Sequence, residues 1–183
     1  MSGNKILQET RQNVGDIVYE YDGLGNVSGF VYYEQRYIYI KNGTNDIIGI
    51  INIDGELVAS YSYDGWGNCV VNNLTTSNIG DLNLFRYRSY YYDTETGYYY
   101  LNSRYYDSSV GRFINSDEIS NLGVNNDVQS LNVYVYCANN PIYRYDIQGD
   151  FWGTCVITST VFGAMVGFGS QVVANVLADD PWY

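Results

Sequence analysis

A tyrosine-rich stretch runs into the dipeptide Tyr-Asp five times in this chain, at Tyr21-Asp22, Tyr63-Asp64, Tyr92-Asp93, Tyr106-Asp107 and Tyr145-Asp146, and a glycine follows within four residues each time. Tyrosine favours pleated, half-buried surfaces, and an Asp at a strand end accepts hydrogen bonds from backbone N–H groups two residues on. Glycine supplies the positive φ that tight turns require. A unit of strand, Asp-Gly turn and strand cannot bury its face alone and must stack on its neighbours. The spacing is irregular, so it predicts stacked hairpins without defining a propeller blade.

The local pattern agrees. Ile17, Tyr19 and Tyr21 alternate with Val18 and Glu20, the run breaks at DGLGN (residues 22–26), and Val27 to Tyr33 resumes it. Arg36 to Lys41, RYIYIK, is β-branched and aromatic, and Asn42-Gly43 after it predicts a two-residue type I′ turn. Ile47 to Ile53 goes out, Asp54-Gly55 turns, and Glu56 to Tyr63 returns. DGWGN (64–68) then repeats the first break almost letter for letter, and Cys69 to Val71 continue from it. Residues 1–15 are polar and lack clear periodicity, which predicts an N-terminal loop or a frayed first strand.

Composition removes several kinds of chemistry. The chain has no histidine, which excludes Ser-His, Cys-His and His-metal arrangements. Its net charge of −11 is spread along the sequence and argues against nucleic acid or anionic lipid as partner. Cys69, Cys137 and Cys155 are isolated and odd in number, so they define neither a disulfide framework nor a CxxC site and read as small buried hydrophobes. No cofactor or metal is implied. The first residues, MSGNKILQETRQ, lack the apolar core of a signal peptide. For Asp22, Asp64, Asp93 and Asp107 the plain reading is turn formation, and the functional alternative is that exposed tyrosine rows bind carbohydrate or another protein.

The segments YEYDGLGNVSG, ELVASYSYDGWGN, FRYRSYYYDTETGYYYLNSRYYDSSVGRFINSDE and NVYVYCANNPIYRYDIQGD resemble the last YD repeats and the associated core domain of the rearrangement hotspot (Rhs) family, of the kind found in bacterial wall-associated toxins. The resemblance covers residues 16–150 and is most specific from Phe85 to Phe113. It implies a mainly β fold of stacked antiparallel hairpins, part of a YD-repeat spiral sheet or shell, with repeats over 16–84 and the core over 85–150. It also implies a shell that encloses or presents a C-terminal toxin, secreted or held at the cell envelope within a larger system. The partner would be the chain's own C-terminal segment or toxin.

Relatives of this kind release the toxin by cleavage just after the core, using two aspartates in Asp-Pro-x-Gly-like contexts and an upstream arginine. Carried over, Arg112 of the GRF motif is the arginine, Asp117 and Asp146 are the two aspartates, and the cut falls between Asp150 and Phe151. Two carboxylates forced together can act as acid and base, and a guanidinium can stabilise a developing oxyanion. Any enzymatic activity is therefore an aspartate-dependent cut of the chain itself. The sequence departs from the pattern at Glu118 and Ile147, where relatives carry proline, and at Asp150, where an apolar residue is usual. Losing proline loosens the turn that such chemistry depends on, so the alternative is that Asp117 and Asp146 are two turn-forming aspartates that keep the fold without cutting. Asn139-Asn140-Pro141 fits the family's turn before the last strand.

From Phe151 to Ala178 no residue is charged, and the stretch is long enough to cross a bilayer as one helix. Ser159, Gly163 and Gly167 recur every four residues, as do Ser170, Ala174 and Ala178, giving a small-residue face. The expectation is an apolar, Gly-rich C-terminal tail over 151–183, a truncated pre-toxin segment whose stretch 151–178 is a helix tucked against the sheet or inside the shell, a membrane-active segment, or disordered. Two readings of the whole chain follow: a core fragment of a toxin-delivery shell, or a non-catalytic β-rich module for carbohydrate or protein.

Overall fold

A computed structural model describes residues 5–12, 14–117, 132–146, 149 and 152–154. The chain divides into two units. The first holds the described residues of Met1–Ser62 and Val71–Asn83, and the second holds Tyr63–Val70 and the described residues from Leu84 onward.

Strands β1 (Gln8–Arg11), β2 (Gly15–Tyr21), β3 (Val27–Tyr32), β4 (Gln35–Lys41), β5 (Ile47–Ile51), β6 (Leu57–Tyr63) and β7 (Cys69–Asn73) form one seven-stranded sheet in sequence order. The segment expected as a loop or frayed strand thus contains β1, which pairs antiparallel with β2 from Gln8↔Val18 to Arg11↔Gly15. Alternation fixes the buried face: Ile17 and Tyr19 point into the core while Val18 is 43% exposed. Phe30, Tyr39, Ile47, Ile50, Val58 and Ala59 are among the other buried residues of this unit. A short helix, α1 (Ile79–Leu82), leads to Asn83, which is fully buried. Its carboxamide accepts the Tyr39 hydroxyl at 2.6 Å and donates to the Tyr61 hydroxyl at 3.2 Å, so the buried polar groups satisfy one another.

Four of the loops share one closure, at 22–26, 42–46, 52–56 and 64–68. The first residue's N–H donates to the fifth residue's carbonyl, and the fourth residue's N–H donates back to the first carbonyl. The side chain of the first residue, Asp22, Asn42, Asn52 or Asp64, accepts the N–H of the third and fifth residues at 2.8–3.0 Å. The fourth residue has positive φ in each: Gly25, Asn45, Gly55 and Gly67. The first and fifth side chains also pair donor to acceptor, as Asp22 with Asn26, Asn42 with Asp46, Asn52 with Glu56, and Asp64 with Asn68.

This corrects the turn expected at Asn42-Gly43. Asn42 spends its carboxamide on closing a five-residue loop, and Asn45, with φ 70°, takes the left-handed position. The two-residue hairpin loop with positive φ at both positions lies instead at Tyr33-Glu34, with φ of 46° and 62°, between the paired residues Tyr32 and Gln35.

In the second unit, β8 (Tyr91–Asp93), β9 (Tyr98–Leu101), β10 (Arg104–Asp107) and β11 (Arg112–Phe113) form a four-stranded antiparallel sheet, and β12 (Arg144–Asp146) pairs with β13 (Trp152–Thr154). Tyr87, Tyr90, Tyr99, Leu101, Tyr106, Phe113, Tyr136 and Cys137 make the core. Three of these tyrosines catch successive carbonyls of the 64–68 turn: Tyr87 donates to Gly65 at 3.0 Å, Tyr106 to Trp66 at 2.7 Å and Tyr99 to Gly67 at 2.9 Å. The repeated turn is thereby built into a tyrosine core, with each buried hydroxyl satisfied. Burial pushes the Cys137 thiol up to about 12, which suits a packing role.

The fold is mainly antiparallel β, as the sequence implies. The expected apolar helix does not begin at 151, because Trp152–Thr154 are drawn into backbone pairing with β12 as β13; the remainder of the tail lies outside the described residues, among which no helix is long and apolar enough to cross a membrane.

Candidate functional site

Four of the five Tyr-Asp aspartates close their own turns. Asp22, Asp64, Asp93 and Asp107 accept the N–H two residues on, from Leu24, Trp66, Glu95 and Ser109, at 2.8–2.9 Å. Asp146 accepts a local N–H as well, three residues on, and adds a buried ion pair. It is 2% exposed, its Oδ1 accepts the Gly149 N–H at 2.7 Å, and its Oδ2 lies 3.6 Å from Arg104 Nη2. The same Nη2 is 3.1 Å from Asp117 Oδ2.

Arg104 is the hub of this cluster. Its Nη1 donates to the Val133 carbonyl at 3.1 Å, its Nε donates to the Gly149 carbonyl, and its guanidinium lies 3.7 Å from the Phe113 ring centre. A buried guanidinium needs this density of partners, because leaving water costs several kcal/mol that only good geometry offsets. The planar fork lets one side chain serve carboxylates and carbonyls in different directions.

Local structure explains why Arg104 points inward. The loop Asn102-Ser103 joins β9 to β10, with Asn102 at φ 61° and Leu101 paired to Arg104. Along β10 alternate residues share a face, so Arg104 and Tyr106 go to the core and Tyr105 goes out. Asp117 is held by its own N–H, which donates to the Val133 carbonyl at 3.0 Å. Strand β12 is held by Arg88, which donates to the carbonyls of Pro141 and Arg144, and by the Tyr90 hydroxyl, which donates to the Asp146 carbonyl. Burial pushes the phenols of Tyr90 and Tyr136 well above their ordinary value, so both remain protonated donors.

The structure therefore brings Asp117 and Asp146, from separate segments of the sequence, to one cation. That cation is Arg104. Arg112, expected beside the pair, is exposed on β11 and lies opposite Asp107 in the β10 register. Sequence reasoning passed over Arg104, and the available signal was its parity with Tyr106. Asp150 and Phe151 lie outside the described residues. The connection 147–151 that contains them joins the paired strands β12 and β13, and Gly149 within it is buried at φ +80°. A Cβ there would stand 2.7 Å from both the Leu101 carbonyl and the Ser103 hydroxyl, so this approach to the guanidinium requires glycine.

The Teneurin YD-shell family profile matches residues 5–142. This chain belongs to the YD-shell family. Arg104 and Asp117 fall inside the matched region, and Asp146 lies just beyond it. The tRNA3(Ser)-specific nuclease WapA of Bacillus spizizenii is 33% identical over 166 residues, covering 90% of this chain and 7% of that protein. The tRNA nuclease WapA of Bacillus subtilis is 34% identical over 151 residues, covering 82% and 6%. Double-stranded DNA deaminase toxin A of Burkholderia cenocepacia is 36% identical over 95 residues, covering 52% and 6%. This chain thus spans less than a tenth of the length of these relatives. Among solved structures, the TcdB2-TccC3-Cdc42 crystal structure aligns with a TM-score of 0.62 at 18% identity, over 74% of this chain and 6% of that one. The Photorhabdus luminescens Tc holotoxin pore aligns at 0.62 and 18%, over 73% and 6%. These alignments show the shared YD-shell fold, and the match to the Rhs type of YD-repeat protein read from the sequence stands.

Proposed function

We propose that this chain is the core-bearing segment of a toxin-delivery YD shell, and that the Arg104–Asp117–Asp146 cluster cuts the chain in the connection following Asp146. The observation that carries the reading is the convergence of two carboxylates from separate segments on one buried guanidinium that also binds the carbonyl of Gly149. Two carboxylates and a guanidinium in one cluster supply what such a cut needs, a proton acceptor and a positive charge for a developing oxyanion.

The relatives support the delivery role. Two are named for tRNA cleavage and one for DNA deamination, yet each matches this chain over only a small part of its length. A segment common to proteins of different activity belongs to what they share, the shell, rather than to what distinguishes them. The net charge of −11 agrees, since it does not favour nucleic acid as this segment's partner. The partner is the chain's own C-terminal portion, and the setting is secreted or envelope-associated. The backbone of each aspartate is itself tied in place, the Asp117 N–H to the Val133 carbonyl and the Asp146 carbonyl to the Tyr90 hydroxyl.

Intact-mass analysis of the purified chain over several days tests this. The expected result is a shortened species ending within 147–151, absent in folded Asp117→Asn and Asp146→Asn variants. A wild-type chain that stays whole overturns it.

A further inference from the structure

We infer that residues 136–146, with β13 paired to them, are a strap that opens from the four-stranded sheet as one unit, and that the turn 86–90 is the clasp that holds it shut against stored backbone strain. The inference stands apart from the cut proposed above, since it concerns how this segment is held.

The backbone gives the strap little hold on the sheet. β12 and β13 pair with each other as a separate two-stranded sheet, and Ile142 and Tyr143 in the middle of the strap are 62% and 65% exposed. Side chains supply the hold. Arg88 donates to the carbonyls of Pro141 and Arg144. The Tyr90 hydroxyl donates to the Asp146 carbonyl and lies 3.3 Å from the Tyr136 hydroxyl. Tyr136 packs on Tyr106 with ring centres 4.1 Å apart, and Arg104 adds its ion pair to Asp146. A segment attached by a few side chains rather than by ladder bonds opens locally while its neighbours stay folded.

Strain opposes the closed state. Arg88 and Ser89 lie at φ 51° and 59°, and Cys137, Ala138 and Asn139 at 49°, 49° and 57°, in the left-handed region that a side chain disfavours. The two runs form matching turns. Ser89 and Tyr90 donate their N–H groups to the carbonyls of Arg86 and Tyr87, and Asn139 and Asn140 donate theirs to Tyr136 and Cys137, at 2.8–3.1 Å. Strained backbone persists only where the surrounding contacts over-determine it. The first turn aims Arg88 and Tyr90 at the second, so one strained turn fastens the other. The chain runs on from the strap toward its C-terminus, and opening lets that portion part from the sheet while the sheet stays folded.

Cys137 reports the opening, because it is 1% exposed and lies in the strained turn of the strap. Alkylation of the full chain by iodoacetamide over a urea series tests the inference, with peptide mass analysis separating Cys137 from Cys69 and Cys155 and circular dichroism following global unfolding. The expected result is labelling of Cys137 at urea concentrations that leave the β signal intact, with a weaker urea dependence than global unfolding, because opening exposes less surface. Labelling only in step with global unfolding overturns the strap. Arg88→Ala is expected to speed labelling by about 10–100-fold, through loss of hydrogen bonds from a charged donor. An unchanged rate in that variant overturns the clasp. Ala138→Gly is expected to slow labelling by about two- to fivefold, since glycine carries no left-handed penalty. Faster labelling there overturns the stored strain. Because the urea series is read on the unsubstituted chain, a misfolded variant does not shield the inference.

Discussion

Asp64 and Asp146 each follow a tyrosine at a strand end and each accept a backbone N–H from just downstream, yet only Asp146 is buried against a cation. Asp64 is exposed and spends its carboxylate on its own loop, accepting from Trp66 and Asn68. Asp146 is 2% exposed and faces a cation supplied by a distant strand. The dipeptide alone does not decide between a turn and a site. Burial and the available cation do, because a carboxylate kept from water must find a charged partner, whereas one at the surface is satisfied by nearby N–H groups.

The comparison breaks most visibly at Arg104. Arg104→Ala leaves two carboxylates of a buried cluster without their shared guanidinium and is expected to cost about 3–5 kcal/mol in urea denaturation. A loss below about 1 kcal/mol, as for an exposed ion pair, would place Asp146 with Asp64 after all.

Glycines of the shared loops give a second contrast. Gly55 and Gly67 both have positive φ, but a Cβ at Gly55 meets nothing within 4 Å while one at Gly67 stands 2.6 Å from the Tyr87 ring. Gly55→Ala is expected to cost about 1–2 kcal/mol from backbone strain alone. Gly67→Ala adds overpacking of about 1–3 kcal/mol, and equal denaturation midpoints would mean that the 64–68 turn is not seated in the tyrosine core.

Tyr106→Phe probes that seat more finely. It removes the hydroxyl that donates to the Trp66 carbonyl, with an expected loss of about 1–1.5 kcal/mol. No change in thermal midpoint would show the carbonyl to be satisfied otherwise.

The smallest effect concerns the loop chemistry itself. Asp64→Asn sets a donor against the Asn68 amide, and adding Asn68→Asp restores the pairing that Asn42 and Asp46 already use. The single change is expected to lose about 0.5–1 kcal/mol and the double change to recover most of it. Burial pushes the Asp64 carboxyl up, but the hydrogen bonds from Asn68, Trp66 and Gly67 outweigh that and hold it below its ordinary value. Its contribution is therefore complete above the ordinary carboxylate range and is lost as pH falls through the lowered folded value. Asp64→Asn should remove that share of the acid sensitivity, and an unchanged acid limb in a pH series of midpoints would contradict it.

Much of the hairpin sheet was legible because alternation and Asp-Gly loops are local signals, as at Ile17 to Tyr21 and DGLGN. Asn42-Gly43 misled because an Asn side chain that accepts two N–H groups specifies a longer loop than the dipeptide suggests. Tyr33-Glu34 was invisible, since neither residue type marks a left-handed turn. The aspartates of the site came from the family resemblance. Arg104 did not, because its role depends on segments far along the chain. Strand parity held the missing clue: Arg104 shares a face with buried Tyr106, while Arg112 adjoins buried Phe113 and so faces outward.

The central claim, that Asp146 adds a buried ion pair with Arg104 to its local bond from Gly149 while Asp64 serves its own loop alone, is tested most directly by two double-mutant cycles measured by urea denaturation. The pair Arg104→Ala and Asp146→Ala should show a coupling of about 1.5–3 kcal/mol, and the pair Arg104→Ala and Asp64→Ala should show a coupling within about 0.5 kcal/mol of zero. Equal couplings in the two cycles, or none in the first, would contradict the account.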